Sequence, residues 1–445
     1  MKYFLFVDNF RGFTDTCIPI TDVNFLVGQN STGKTSVLSL LKLFSGPSLL
    51  MGSDFGDEHV GFSHFSDMVS VNSSDQSYFR IGFVWERQER KRKGAEAESV
   101  ITGSLFTFLE KDGVPQLFKC TFCRGAEKIS LKLGKTLISY KKSKCAQALT
   151  AKDFINTLRS EWVSEHAGPD HGFVKLIVPR GFGGKIPILL ALSFIGQADK
   201  PVRKQGQDTE FILHPPDVAF APPDLTWIAP IRTKPRRTYD ELALAFSPDG
   251  QHTPYLIRKL LHSRSEANKF REFINRVGQA SGLFQDVRIR NFGRGASARF
   301  ELDIVIDDKA LNVLNVGYGV SQSLPVIVEI LARNRGTWFA IQQPEIHLHP
   351  RAQAALGDVL FEMAATENKR FLVETHSDFT IDRFRMNYRN GRSNKPAGQI
   401  LFFERRDKHN TVTSIDIGKT GELPTDQPES YRQFFIREQM NILGL

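Results

Sequence analysis

Eight consecutive residues near the start of the chain have the composition and spacing of a phosphate-binding loop. The loop spans residues 28–35, and its candidate nucleotide-binding residues, with the next one, are Gly28, Asn30, Ser31, Thr32, Gly33, Lys34, Thr35 and Ser36. Gly28 and Gly33 let the backbone wrap closely, so that several N–H groups converge on one anion. The Lys34 ammonium would reach the β- and γ-phosphates, and the Thr35 hydroxyl would ligate Mg²⁺. The loop predicts nucleotide binding; the alternative is a glycine turn beside a structural lysine.

Two apolar stretches in the second half of the chain end in polar residues. Residues 338–341 are followed by Gln342 and Gln343, and residues 370–374 are followed by a turn that carries His376. A single histidine at the end of a strand is more often structural than functional. This pattern therefore predicts a function only in combination with other motifs.

A glycine-rich segment precedes the first of these stretches. It covers residues 315–322, contains Gly317, Gly319 and Ser321, and opens a helical pattern over 320–334. Exposed N–H groups at the start of a helix can bind an anion. Alone, the segment is a weak signal and is more typical of a glycine-rich turn before a helix.

The surrounding elements alternate in a way that places these motifs. An apolar run over 23–27 predicts a strand before the loop, and the pattern over 36–44 predicts a helix after it. The later part alternates between predicted strands at 338–341, 370–374 and 400–403 and predicted helices at 320–334, 350–365 and 377–388. This rhythm predicts a parallel sheet covered by helices. Because the loop and the late strands are far apart in sequence, we expect the two ends to fold together around an insertion.

The middle of the chain has a different character. Short strand-like pieces with glycine turns over 99–145 predict antiparallel hairpins. We expect helices at 150–166 and 254–281, the latter as one long helix, and a proline-rich linker at 200–225. The predicted organisation is an N-terminal part of an ATPase lobe (1–86), an insertion (87–225), the C-terminal part of that lobe (226–405) and a tail packed on it (406–445).

Composition narrows the class of protein. With 41% hydrophobic and 24% charged residues, the 445-residue chain is typical of soluble globular proteins. It has no apolar stretch of about 18 residues, and its first residues read as a strand instead of a signal peptide. We expect a cytoplasmic protein without a membrane partner. Cys120 and Cys123 form a CxxC pair to which only Cys145 would add a ligand, so reduced thiols are favoured over zinc.

The net charge of +9 is concentrated in three basic runs. They are Arg87, Arg90, Lys91, Arg92 and Lys93; Lys135, Lys141, Lys142 and Lys144; and Arg232, Lys234, Arg236 and Arg237. Basic clusters can bind phosphates of nucleic acids. For each run alone we favour a solvated face. Whether the protein contacts nucleic acid somewhere on its surface stays an open alternative.

Taken together, the motifs resemble those of ABC-type ATPase heads of the SMC and RecF kind. They are most similar to stand-alone prokaryotic AAA-type predicted ATPases, which include the overcoming-lysogenization-defect type and ATPases of anti-phage defence islands. The matching segments are 9–13 for the opening of the head, 28–36 for Walker A, 315–322 for the signature, 342–350 for Walker B and the D-loop, 374–378 for the histidine switch, and 421–424 with 431–435 for the tail. The resemblance implies an α/β P-loop fold, a mixed sheet flanked by helices, with an inserted antiparallel-β and helical region.

The resemblance also implies a composite site. Such heads bind two ATP molecules with Mg²⁺ between two subunits, so we expect a homodimer, or a higher even oligomer, that forms through ATP. Gly317, Gly319 and Ser321 would contact the γ-phosphate held by the other subunit. Arg11 would contact the nucleotide, and His376 would be the switch residue.

The chain departs from the family at the two acidic positions of Walker B. Gln342 stands where a Mg²⁺ ligand is expected, and Gln343 where a glutamate activates water. An amide brings no charge to the metal and cannot accept a proton as a general base, although it can orient a water. Glu345 and Glu374 are nearby candidates for a substitute carboxylate. We expect ATP binding with slow hydrolysis.

Three functions are compatible with these features. The first is a nucleotide-gated dimeric regulator or scaffold of a prokaryotic anti-phage defence system that controls a separate effector, a nuclease or a toxin. It is favoured because no nuclease motif stands out and the residues after 405 are too few for a Toprim domain. The second is a DNA repair or maintenance ATPase of the RecF or SMC type that clamps DNA through basic residues. The third is a free-standing nuclease with an unrecognised site.

Overall fold

The computed structural model describes residues 2–46, 49, 55, 62, 64–89, 98–125, 127–134, 137–144, 173–177, 187–198, 225–240, 245–293, 298–390 and 394–435. They form a mixed α/β fold with large sheets flanked by helices, which is the predicted P-loop ATPase class. Contacts divide the chain into two units. Unit 1 comprises 1–20, 31–222 and 404–412, and unit 2 comprises 21–30, 223–403 and 413–445. Within the described ranges, no helix has the length and apolar character needed to cross a bilayer.

Unit 1 is built on one eight-stranded antiparallel sheet. Its strands are β1 (Lys2–Asp8), β2 (Thr16–Ile20), β4 (Tyr78–Glu89), β5 (Glu98–Lys111), β6 (Val114–Arg124), β7 (Glu127–Leu133), β8 (Leu137–Lys144) and β9 (Val174–Ile177), in the order β2-β1-β4-β5-β6-β7-β8-β9. The hairpins predicted for 99–145 are confirmed. They extend the sheet of the N-terminal strands, because β5 pairs along the whole edge of β4.

One face of this sheet is covered by the helix that follows the phosphate loop. The helices of unit 1 within the described residues are α1 (Lys34–Ser45) and α2 (Ile188–Ala198). Phe44 of α1 packs against Phe83 and Phe106, with ring centroids 5.8 Å apart in both pairs. This packing holds the C-terminal end of α1 against the sheet.

Unit 2 contains a six-stranded sheet and a three-stranded sheet. The first has β3 (Val23–Gly28), β10 (Leu225–Ile228), β14 (Trp338–Gln342), β15 (Arg370–Glu374), β16 (Gly398–Arg406) and β17 (His409–Asp416), in the order β10-β14-β15-β3-β16-β17. The neighbours from β10 to β16 run parallel. The second has β11 (Asp286–Phe292), β12 (Arg299–Ile306) and β13 (Lys309–Asn312). The predicted parallel sheet is therefore present, with β3 from the start of the chain near its centre.

Six helices accompany these sheets among the described residues of unit 2. They are α3 (Thr253–His262), α4 (Ala267–Ser281), α5 (Tyr318–Ala332), α6 (Pro350–Glu367), α7 (Asp378–Met386) and α8 (Glu429–Phe434). The single long helix predicted over 254–281 is wrong, because α3 ends at His262 and Ser263 is extended. Ser263 and Ser265 are 3.2 Å apart at their hydroxyl oxygens, and such side chains favour turns over helix interiors.

Several predictions concern residues that are not described. The helix at 150–166, Cys145, residues 90–93 and the linker at 200–225, apart from Leu225 at the start of β10, lie outside the described ranges. The predicted domain boundaries stay predictions. Cys120 and Cys123 are buried in β6, where their three-residue spacing points them to opposite faces. Within the described ranges, no three His, Cys, Asp or Glu side chains are grouped to hold a metal.

Candidate functional site

The carboxyl edge of the six-stranded sheet brings together three of the sequence motifs. Gln342 at the end of β14 is in register with Glu374 at the end of β15, and Glu374 is in register with Leu26 of β3. Since neighbouring strands lie about 4.8 Å apart, roughly 10 Å separates Gln342 from β3. The phosphate loop starts at Gly28, the last residue of β3. Ligands of open parallel sheets bind at this edge.

The loop adopts backbone conformations that require its glycines. Gly28 has φ of 143°, and a Cβ there would lie 2.0 Å from the carbonyl oxygen of Phe403. Gly33 has φ of 94°, and a Cβ there would lie 2.4 Å from the Phe13 ring. Ser31 also has a positive φ of 61°, which is uncommon for a residue with a side chain. Such strained backbone is typical of functional loops.

The start of α1 has the electrostatics expected beside a phosphate. Gly33 is its N-cap residue, no side chain caps it, and its first turn has no acidic residue. The positive end of the helix dipole is therefore not neutralised by a nearby carboxylate of that turn. Thr32, Lys34 and Ser36 are buried, whereas Asn30, Ser31 and Thr35 are exposed.

Arg11 is held by local contacts in unit 1. Its Nε donates to the carbonyl of Asp67 at 2.8 Å, and its guanidinium lies 4.5 Å from the ring centroid of Phe62. Burial lowers the pKa of Arg11, and Asp67 partly opposes this effect. A contact between Arg11 and a nucleotide stays a prediction.

The glycine-rich segment forms the N-terminus of α5, as predicted. Gly317 is the N-cap residue and has open space around its Cα, and no side chain caps the helix. Gly319 is close to the turn after β14, because a Cβ there would lie 2.9 Å from the carbonyl oxygen of His347. The Ser321 hydroxyl donates to the Tyr318 carbonyl at 2.9 Å. The signature-like segment and the turn after Gln342 therefore adjoin within unit 2.

The two amides differ in their surroundings. Gln342 is buried, and its Nε2 donates to Glu374 Oε2 at 3.2 Å. Gln343 is half-buried with φ of 42°, and its backbone N–H donates to the Glu374 carbonyl at 2.8 Å. Glu374 thus holds the side-chain amide of Gln342 and the backbone of Gln343 at the end of the sheet.

His376 lies at the same edge, exposed to solvent. Its backbone N–H donates to Glu345 Oε1 at 2.7 Å, and its ring stacks on Phe434 with centroids 6.3 Å apart. Ser377 caps α7 by accepting from the Thr380 N–H at 3.1 Å. Gln342, Gln343 and His376 therefore lie at the ends of two adjacent strands, and their catalytic roles stay predictions.

One residue of this region was missed from the sequence. Arg232 belongs to a basic run for which we expected a solvated face, but it is only 3% exposed. Its Nη2 donates to the Gln342 carbonyl at 3.1 Å, whereas Nε and Nη1 have no hydrogen-bond partner among the described residues. Burial lowers the pKa of Arg232 to about 10, and Glu345 partly opposes this effect. The available signal was its place just after the short apolar strand β10.

Two family models match two separate segments of the chain. One, described as "AAA ATPase domain", matches residues 1–147. The other, described as "AAA domain, putative AbiEii toxin, Type IV TA system", matches residues 198–382. Each spans less than half of the 445 residues, and together they contain the loop, the signature-like segment and both strand-end motifs. The matches support an ATPase of the AAA type, and hence nucleotide binding.

Solved SMC head structures are similar to this chain at low identity. An SMC head bound to the C-terminal winged-helix domain of ScpA is 13% identical with a TM-score of 0.42, covering 94% of this chain and 98% of that chain. The head from Pyrococcus furiosus, with an extended coiled coil and bound to the C-terminal domain of ScpA, is 12% identical at 0.39, covering 100% and 99%. The Thermotoga maritima head is 11% identical at 0.35, covering 93% and 97%. No curated protein matches significantly.

Proposed function

We propose that this chain binds ATP through the loop at 28–36, at the carboxyl edge of the six-stranded sheet. The observation that supports this most strongly is the strand register, which makes the loop leave the sheet beside the polar ends of β14 and β15. Lys34 would pair with the β- and γ-phosphates, and the N-terminus of α1 would receive the phosphate charge.

We propose that the site holds Mg²⁺ weakly. The exposed hydroxyl of Thr35 and the side-chain oxygen of Gln342 would be its protein ligands. Gln342 already donates through Nε2 to Glu374, so its oxygen is the atom suited to a cation. Because neither ligand carries charge, we expect Mg²⁺ to contribute less here than at an acidic Walker B.

We propose further that ATP joins two copies of the chain. The start of α5 offers an uncapped helix N-terminus and the open Gly317, beside Tyr318, which is 47% exposed. Such a helix start suits the γ-phosphate of an ATP bound by another copy. Gly317, Gly319 and Ser321 would supply this contact.

The biological role that we propose is regulation of a separate effector in a prokaryotic defence system. The described residues carry the proposed nucleotide site, and the family model that matches residues 198–382 is described by the words "putative AbiEii toxin, Type IV TA system". With Gln342 and Gln343 at the site, hydrolysis is slow and the ATP-bound dimer is long-lived. Such a dimer would work as a gate for its effector.

Molar mass in solution tests the nucleotide-gated dimer. Light scattering after size exclusion, with and without a slowly hydrolysed ATP analogue, should show a doubling for the parent and for Lys42→Ala. Lys34→Ala should stay at the smaller mass. Lys42 is a matched control, since it lies in the last turn of the same helix. An unchanged mass for the parent would refute gating by ATP.

The effector and the DNA-clamp alternative are separated by two measurements. Co-purification of a nuclease or toxin with the untagged protein supports the regulatory role. Tight DNA binding by the chain alone, with affinity falling steeply as salt rises, favours the DNA repair or maintenance function.

A further inference from the structure

We propose that Glu345 accepts the proton of the water that attacks the γ-phosphate of ATP, in place of the acidic residue absent at Gln343. The proposal rests on the proposed ATP site and adds the group that makes turnover possible. In this step the water oxygen bonds to the γ-phosphorus, and the bond from that phosphorus to the bridging oxygen of ADP breaks. The proton of the water passes to a carboxylate oxygen of Glu345 and then to solvent. The products are ADP and inorganic phosphate.

The turn after β14 places the Glu345 carboxylate at the sheet edge. Gln343 and His347 have positive φ values of 42° and 64°, so the chain folds back sharply on both sides of Glu345. As a result, Oε1 accepts the backbone N–H of His376, which follows β15. The carboxylate therefore lies between the ends of two adjacent strands.

The second oxygen of this carboxylate is the atom suited to catalysis. Oε2 is buried and has no hydrogen-bond partner among the residues that the structure describes. A buried carboxylate oxygen is costly to leave unpaired, which points to a partner that arrives with the substrate. Arg232, whose charge lowers the pKa of Glu345, has two nitrogens, Nε and Nη1, that are also buried without a hydrogen-bond partner among the described residues. A water that accepts from Arg232 and donates to Oε2 would satisfy both.

The other carboxylate at this edge is less suited to the task. Glu374 Oε2 already accepts from the Gln342 amide, and its backbone carbonyl accepts from the Gln343 N–H. Burial raises the pKa of Glu345. The His376 N–H, the Thr375 hydroxyl and Arg232 lower this pKa, but they offset the effect of burial only in part. A carboxylate with a raised pKa is the stronger proton acceptor near neutral pH.

Glu345→Gln separates proton transfer from structure. Glutamine keeps the shape and an oxygen that accepts from the His376 N–H, but it cannot take a proton. Single-turnover hydrolysis of radiolabelled ATP should fall by about 100-fold or more, as expected for loss of a general base. ATP affinity should stay within about threefold, because binding relies on the loop. Glu362→Gln, which removes a carboxylate of an exposed ion pair on α6, is the matched control and should keep the parent rate.

A carboxylate placed at a second position provides a further test of the proposal. Gln343→Glu in the Glu345→Gln background should restore turnover, because it supplies a carboxylate at the position used by the family. The proposal is overturned if Glu345→Gln keeps the parent rate, if Glu374→Gln alone removes turnover, or if the second-site glutamate fails to restore it. It is also overturned if the parent binds ATP but shows no turnover above Lys34→Ala, an outcome that leaves the proposed ATP site intact. Absence of ATP binding in the parent refutes both.

Discussion

Replacing Arg232 by methionine should show that this buried arginine contributes little net stability. The pKa of Arg232 falls to about 10 because of burial, well below the ordinary value of arginine. A drop of somewhat more than two pKa units, at about 1.4 kcal/mol each, means that the folded state disfavours the charged guanidinium by about 3 kcal/mol. The one side-chain hydrogen bond that it makes to a described residue, from Nη2 to the Gln342 carbonyl, offsets about 1.5–3 kcal/mol of this.

Methionine fills a similar volume without a charge, so the two contributions largely cancel. We expect Arg232→Met to change the free energy of unfolding by no more than about 2 kcal/mol, most of it from the loss of the cation beside Glu345. The variant leaves the buried carboxylate of Glu345 without its cation. Adding Glu345→Gln removes that charge, and the double variant should be more stable than Arg232→Met by about 1–2 kcal/mol.

The assay is urea unfolding at neutral pH without nucleotide, followed by the fluorescence of the buried Trp227 and Trp338. Arg276→Met, which breaks an exposed ion pair with Glu362, is the control and should cost no more than about 1 kcal/mol. A loss above about 3 kcal/mol for Arg232→Met, with no recovery in the double variant, would show that the arginine is strongly stabilising and would refute this reasoning.

Three further outcomes follow from the same geometry. Gly33→Ala should destabilise the chain by about 2–5 kcal/mol in thermal unfolding, from the positive φ and the clash of its Cβ, and should abolish ATP binding; a shift below about 1 kcal/mol would contradict this. Gln343→Glu should raise steady-state phosphate release by less than the about 100-fold that it restores in the Glu345→Gln background, because the parent already has a base, and an unchanged rate would show that a base at this position is not limiting. Burial alone would raise the pKa of Glu329, but hydrogen bonds from His252 and Arg333 outweigh it and lower the pKa below the ordinary 4.5. Glu329 therefore stabilises the fold above pH 4.5, and this contribution is lost as pH falls through the lowered value. Unfolding free energies of Glu329→Gln measured from pH 6 to pH 3 should fall less than those of the parent, and parallel curves would contradict the assignment.

The parts that were predictable from sequence are those fixed by local chemistry. The phosphate loop is recognisable from eight consecutive residues. The strand that precedes it is recognisable as a short apolar run. The late strands and helices follow from periodicity, and β15 begins and ends where the pattern indicated. Their convergence at one edge follows from the parallel arrangement, which the strand–helix rhythm predicts.

The remainder depends on contacts between residues distant in sequence. Arg232 reads as one member of a basic run, and only the packing of β10 beside β14 buries it behind Gln342. The orientation of Glu345 toward His376 depends on the positive φ of Gln343. Glutamine is not a residue type from which a positive φ would be predicted. The break between α3 and α4 was missed because the apolar spacing continues across Ser263 while the hydroxyls favour a turn.

The dissociation constant of ATP, measured by isothermal titration calorimetry, tests the central claim most directly. Loss of the charged contact in Lys34→Ala should weaken binding by about 10- to 150-fold, equivalent to about 1.5–3 kcal/mol. Lys42→Ala, in the last turn of the same helix, should bind as the parent does. Equal affinities for all three chains, or no binding by any of them, would contradict an ATP site at the carboxyl end of β3.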